Sequence, residues 1–345
     1  MINATAQVTK SENENHFDIP VALFLFLRID KPLKIIEVLK KIKPTKLYLI
    51  SDGGRNADEI NKVLACRRLI EESINWECEV VKKYHNCNVG VHENIGGGAL
   101  WVLENERWAI FLEDDNLPEV SFFEYCKELL YIYENHHNVL WICGTNYLVE
   151  CSPVDSSSYF FSQNMLPCGW ASWSNKFVKY YDVNLHRWNE AKYRLTFDRS
   201  YKNKKLFLQD VFNIEYEIDA KKTGRFYSWD YHMTFSIRAH DLVGIVPKVN
   251  LIKNIGVDFD STHGGTSLSN EMTSRFCELN IIPMKFPLKH PSVVAIDTEL
   301  EERIAQKIID PAFFSIRSRI SRALRKMFKI KKNIKISEWI KGAKS

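Results

Sequence analysis

Several features are missing from this 345-residue chain, and each absence narrows what it does. The longest apolar run is Val21 to Leu27, far short of the roughly 20 residues needed to span a bilayer, so no membrane-crossing segment is expected. Residues Met1 to Asp18 are polar and include Glu12 and Glu14. They lack the basic start and apolar middle of a secretory signal, and residues 1–19 read as a polar tail. The eight cysteines contain no C-x-x-C pair, which excludes a zinc knuckle and a disulfide scaffold and fits reduced thiols in a cytosol. No G-x-G-x-x-G follows the first apolar run, so a dinucleotide-dependent dehydrogenase is excluded. Internal repeats and low-complexity linkers are also lacking.

Apolar runs and amphipathic segments alternate instead. With 45% hydrophobic and 26% charged residues the composition is that of an ordinary globular protein. Val21–Leu27 is a continuous apolar run, the pattern of a strand buried on both faces of a parallel sheet. The pattern then predicts a helix from Pro32 that stops before Pro44, a strand over Lys46–Ile50, and a helix over Ala57–Glu72. A strand over Cys78–Lys83 and a helix over Glu93–Glu104 follow, the helix interrupted by Gly96-Gly97-Gly98 where backbone could approach a ligand. Strands over Arg107–Leu112 and Val139–Cys143 flank a helix over Pro118–Asn135. Such alternation predicts a doubly wound α/β sheet that binds ligands at the carboxyl ends of its strands. Beyond residue 150 the pattern is less regular, with an aromatic stretch over Tyr159–Tyr181 and a charged helical segment over Trp188–Lys222.

The acidic triplet Glu113-Asp114-Asp115 directly follows the strand Trp108–Leu112. Three adjacent carboxylates at a sheet edge repel one another. A hard divalent cation such as Mg²⁺ or Mn²⁺ relieves that repulsion, using one or two carboxylates and the oxygens of a substrate diphosphate. The alternative is an acidic cap on the helix that follows. Asp52, before Gly53-Gly54-Arg55, reads as a turn residue or a ligand contact. Asp230, in Ser228-Trp229-Asp230, reads from the residues alone as the first-turn acid of a helix capped by Ser228. His263 lies in a polar loop, where an exposed histidine without a role is the plain reading. Trp170 and Trp173 are three residues apart, suited to stacking on sugar rings or to anchoring a core.

The segment Phe111-Leu-Glu-Asp-Asp-Asn-Leu-Pro118 with Phe122-Phe-Glu-Tyr-Cys126 resembles the nucleotide- and metal-binding segment of GT-A fold glycosyltransferases. It is similar to a bacterial, family-2-like group of these enzymes, some labelled haemolysin-like, and its E-D-D triplet resembles that of N-acetylglucosaminyltransferase I. The resemblance spans roughly Pro20 to Gly265. It includes Asp30-Lys31-Pro32 where Asn-Arg-Pro is usual, Asp52-Gly53-Gly54-Arg55 where D-G-P-R is usual, Gly169-Trp170-Ala-Ser-Trp173, and Asn254-Ile-Gly256 through Thr262-His263. It implies a GT-A α/β domain divided into a nucleotide-sugar half, residues 20–150, and an acceptor half, residues 151–265. It further implies that Asp115 and His263 bind the metal, that Lys31, Asp52, Arg55, Glu113, Asp114 and Trp170 line the nucleotide-sugar, and that Asp230 is the base.

The function expected is metal-assisted transfer from a nucleotide sugar to a glycan or lipid-linked acceptor in bacterial surface polysaccharide synthesis. A nucleotidyltransferase would carry a Gly-rich loop after the first strand, where this chain has Arg28-Ile-Asp-Lys-Pro32. A glycoside hydrolase would leave the triplet unexplained. The remaining rival is a catalytically silent sugar-binding or membrane-surface module. Residues 266–345 read as an extension ending in a basic segment. Ser315–Ser345 holds eleven Lys and Arg against one acid, leaving 36 bases and 42 acids elsewhere. Apolar residues from Phe313 to Met327 recur at helical spacing among these bases, the profile of a helix lying on an anionic membrane surface over 313–335. Docking on the acidic body and a solvated tail are the alternatives. No nucleic-acid motif is present. A cytoplasmic protein, peripheral on the inner face of the cell membrane, is expected.

Overall fold

The computed structural model describes residues 16–222, 224–257 and 267–328. Its strands are β1 (Val21–Leu25), β2 (Lys46–Ser51), β3 (Glu79–Tyr84), β4 (Trp108–Leu112), β5 (Asn116–Pro118), β6 (Val139–Cys143), β7 (Tyr159–Ser162), β8 (Trp170–Trp173), β9 (Val243–Pro247) and β10 (Ile252–Asn254). The α-helices are α1 (Asp30–Ile42), α2 (Ala57–Ser73), α3 (Gly98–Asn105), α4 (Ser121–Tyr133), α5 (Ser174–Tyr180), α6 (Ala191–Arg199), α7 (Lys204–Lys221), α8 (Asp230–Ala239), α9 (Glu271–Phe276), α10 (Thr298–Ile308) and α11 (Ile316–Met327).

Eight strands form one sheet in the order β3-β2-β1-β4-β8-β6-β9-β7, to which both sides of residue 150 contribute. β1 pairs in parallel with β2 and β4, β2 with β3, and β6 with β9. β8 runs antiparallel to both β4 and β6, and β7 runs antiparallel to β9. Six of the eight strands therefore share one direction, giving a mostly parallel α/β sheet. All five residues of β1 and of β4 are buried, as a strand covered on both faces requires. One face of the sheet packs Ile35, Ile36 and Leu39 of α1, Cys66 and Ile70 of α2, and the apolar side of α4. The other packs Val102 and Leu103 of α3, Met233 and Ile237 of α8, and Leu300 and Ile304 of α10.

α1 ends where Lys43 turns left-handed (φ 52°) ahead of Pro44. Phe17 and Ile19, at the end of the polar N-terminal stretch, are buried. Phe17 packs edge-on against Phe123 and its backbone bridges to Pro44. Residues 1–15 lie outside the described residues.

The helix expected over Glu93–Glu104 opens with a wider π-type turn, His92–Gly97, before α3. Its glycines answer to packing. A Cβ on Gly96 would sit 2.4 Å from the Tyr181 hydroxyl and 3.1 Å from the Trp229 Cβ. The helix expected from Pro118 starts at Ser121 instead, because Asn116–Pro118 pairs antiparallel with β10. Within the extension, α10 belongs to the body, where the Glu301 carboxylate accepts from the Gln163 backbone N–H (3.1 Å) and from the Ser162 hydroxyl. α11 buries none of its described side chains, and Ile316 is 75% exposed. The segment is tethered just before α11, where Phe313 meets Phe212 of α7 at 5.2 Å between ring centres. Among the described residues no helix is long and apolar enough to cross a membrane.

Candidate active site

β4 delivers Glu113, Asp114 and Asp115 to its carboxyl end, and β5 separates them from α4, so they do not cap that helix. The Asp114 and Asp115 carboxylates converge on one nitrogen. Arg28 Nη1, from the turn after β1, donates to Asp114 Oδ1 at 3.0 Å and to Asp115 Oδ2 at 2.9 Å. Its Nη2 reaches the Gly256 carbonyl at 3.4 Å. Asn116 fixes the triplet from below. Its Nδ2 donates to Asp115 Oδ1 (2.8 Å) while its Oδ1 accepts from the backbone N–H of Gly169 (2.8 Å). β10 closes the other side, with Ile255 N–H donating to the Asp115 carbonyl at 2.9 Å. Gly256 lies so near that a Cβ there would be 2.2 Å from Asp115 Oδ2.

Charge crowding shows in the titration of these groups. Burial, and then the charges of Asp115, Asp114 and Asp230, hold the Glu113 carboxyl well above its ordinary range, with Arg28 opposing. Asp114 is also raised, by burial and by Asp115, with Arg28 and Lys31 pulling it back. Asp230 opens α8 and is raised to about 6 by burial, which two backbone N–H groups offset in part. Its carboxylate accepts from the Ser228 hydroxyl and from Tyr231 N–H (3.1 Å). Ser228 does not cap α8, whose N-cap is Trp229 without a side-chain bond. The loop in front of Asp230 is clamped from α7, where Glu217 Oε2 accepts from Tyr227 N–H (2.7 Å) and Ser228 N–H (3.1 Å). Burial also raises the thiols beside the triplet, Cys277 to about 11, so they stay protonated and are poor nucleophiles.

The sequence-expected residues do not all meet in one place. Glu113, Asp114 and Asp115 share one site, Asp230 adds its charge to theirs, and buried Lys31 acts on Asp114. Asp52 lies at the end of β2 with its four acceptor positions filled. Oδ1 takes the N–H groups of Gly53 and Val89 (both 2.8 Å), and Oδ2 takes Asn88 Nδ2 (2.8 Å) and Gly90 N–H (3.0 Å). It organises the 86–90 loop, with nothing left over for a nucleotide. Arg55 is paired with Glu59, its Nη2 lying 2.6 Å from Oε1, and not with the triplet.

The stacking role expected of Trp170 is corrected by burial. The residue is 1% exposed, with Phe111 stacked at 4.0 Å and Trp141 at 4.1 Å between ring centres, so no ring face is open to a sugar. Trp173 is likewise core, its Nε1–H bonded to the Leu130 carbonyl at 2.8 Å. His263 lies outside the described residues. The residues that sequence reasoning missed are Arg28 and Asn116. An arginine directly after the first apolar strand, at the ligand edge of the sheet, was the available signal for Arg28.

Among the described residues no three His, Cys, Asp or Glu side chains form a metal cage. Asp114 and Asp115 offer two hard oxygens directed at one point, which fits a divalent ion that completes its shell with diphosphate oxygens and water.

The chain matches no known family profile and no curated protein. Solved structures with some likeness include HddC from Yersinia pseudotuberculosis, at 12% identity over 48% of this chain and 81% of that one, with a TM-score of 0.30. Another is glucosyl-3-phosphoglycerate synthase from Mycobacterium tuberculosis, solved with Mn²⁺, uridine diphosphate and glucosyl-3-phosphoglycerate, at 10% identity over 61% and 80% with a TM-score of 0.29. Mouse xyloside xylosyltransferase 1 is 8% identical over 65% and 82%, with a TM-score of 0.32. At such identities and scores the likenesses carry no argument about this chain.

Proposed function

We propose that this protein is a metal-assisted, inverting glycosyltransferase that moves a sugar from a nucleotide-diphosphate donor, UDP-linked, to a glycan or lipid-linked acceptor of a bacterial surface polysaccharide. One observation carries the reading: two carboxylates at the end of β4 converge on a single cation position, and a third, Asp230, is close enough for its charge to be felt by Glu113. Asp115 and Asp114 would hold Mn²⁺ or Mg²⁺, which supplies charge neutralisation at the departing diphosphate. Asp230 takes the proton of the acceptor hydroxyl. The freed oxygen bonds to the anomeric carbon as the bond from that carbon to the diphosphate breaks, its electron pair leaving with the nucleoside diphosphate. A carboxyl raised to about 6 suits this role, since a base works best when its pKa lies near the operating pH. Nucleoside diphosphate release from a panel of nucleotide sugars, with Mn²⁺ and with EDTA, tests the reading. Metal-dependent release from at least one donor is expected, whereas donor binding without any turnover would identify a silent sugar-binding module.

The acceptor side of the proposal includes a cytoplasmic location on an anionic membrane surface, through 313–335, of which 329–335 lie outside the described residues. In support, Ile316, Ile320 and Met327 are exposed on α11 while Arg317, Arg319, Arg322 and Arg325 flank them without an acidic residue. Each such base adds about 1 kcal/mol near an anionic surface. Co-sedimentation with phosphatidylserine vesicles is expected for the full chain, to weaken in salt, and to be lost with Arg317→Glu and Arg319→Glu together. Equal binding to neutral vesicles would reject it.

A further inference from the structure

We propose that Arg28 and a divalent cation are alternative occupants of one position, the point on which Asp114 and Asp115 converge, so that Arg28 sets the metal affinity of the donor site. The inference rests on the metal-assisted reading above and concerns what the chain itself places where an ion would bind. A single guanidinium nitrogen serves both carboxylates, at 3.0 Å and 2.9 Å. The Asp115 side chain has no free turn with which to offer other oxygens. Its Oδ1 is held by Asn116 Nδ2 at 2.8 Å, and its Oδ2 lies against the backbone of Gly256. An ion held by both carboxylates at the point where they converge therefore displaces the guanidinium.

The displacement is local. The Arg28 backbone is tied down where its carbonyl accepts from Cys66 Sγ at 3.1 Å, so the side chain moves and the turn stays. A guanidinium released there remains beside the diphosphate that the ion brings. Its planar fork suits phosphate oxygens better than a lysine would. Arg28 is in this sense a positioning residue, neutralising the carboxylates before the donor arrives.

The test is Mn²⁺ binding to the full chain without nucleotide, followed by electron paramagnetic resonance of the free ion. Arg28→Met is expected to bind Mn²⁺ about tenfold more tightly than the wild type, because a partly buried competitor has gone. Lys31→Met removes an equal charge that also bears on Asp114 but from another position. There the gain is expected to be about threefold or less. Thermal melting checks that the variants fold, and Arg28→Gln replaces Arg28→Met if that variant does not. Equal tightening by both substitutions, or none by Arg28→Met, overturns competition for one position while leaving the metal reading standing. No Mn²⁺ binding by any of the proteins at millimolar concentration, either alone or with uridine diphosphate added, overturns both.

Discussion

Two strand ends on either side of β1 carry aspartates that look alike in sequence and live in different chemistry. Asp52, after β2, gives all its acceptor capacity to donors fixed in its own surroundings, three of them backbone N–H groups. Asp114 and Asp115, after β4, share a flexible guanidinium from a different strand end. Backbone donors cannot leave without unfolding the loop, whereas an arginine side chain can swing away once its partly buried ion pairs with Asp114 and Asp115 are replaced. The first arrangement is architecture; the second leaves room for exchange. The neighbouring carboxyls agree, because burial and then the charge of Asp115 push up both Glu113 and Asp114 despite Arg28. One guanidinium does not neutralise three carboxylates.

The largest effect should come from breaking the exchangeable end. Asp115→Asn keeps the shape of the side chain and removes the charge that a metal and its diphosphate need, so turnover should fall by about 10³-fold. The melting temperature should stay close to that of the wild type, since relieving the repulsion that Asp115 exerts on Glu113 and Asp114 offsets the loss of its ion pair with Arg28. Activity measured alongside calorimetry checks both halves. Near-normal turnover would remove Asp115 from the chemistry altogether.

A smaller loss is expected at the start of α8. Asp230→Asn should lower kcat by about 10²-fold, the lower end of what removing a general base costs, with donor affinity retained. The pH profile gives a second handle. The base must be deprotonated to work, and burial raises it to about 6, so kcat/KM should climb as pH rises through about 6 and level off above. That limb should vanish in Asp230→Asn. A limb that persists in the variant would mean that another group titrates there.

How far these assignments were legible in the sequence depended on chain-local signals. β1, β4 and β6 were read because each is a continuous apolar run covered on both faces, and β6 agrees to the residue. β5 and β10 were not, since three-residue strands built around Asn116 and Lys253 have no apolar period and exist only through their mutual pairing. Asp114 and Asp115 announced themselves by clustering. Arg28 did not, because its partners are 86 and 87 residues away. Trp170 was misjudged for a related reason: a tryptophan's exposure is set by neighbours on other strands, here Phe111 of β4 and Trp141 of β6.

The smallest predicted effect on catalysis is also the one that best separates the two strand ends. Asp52→Asn replaces one acceptor oxygen by an amide that must face Asn88 Nδ2 and Gly90 N–H, or else Gly53 and Val89 N–H, so two donors that are at least part-buried lose their partner. Leaving buried donors unpaired costs about 1–3 kcal/mol each, and partial relaxation of the 86–90 loop brings the expected loss of stability to about 2 kcal/mol. Turnover at saturating donor should remain within about threefold of the wild type, because no reacting atom is touched. Urea unfolding and steady-state kinetics on the same preparation decide it. If stability is unchanged while donor KM rises by an order of magnitude or more, Asp52 contacts the nucleotide after all, and both strand ends belong to the substrate.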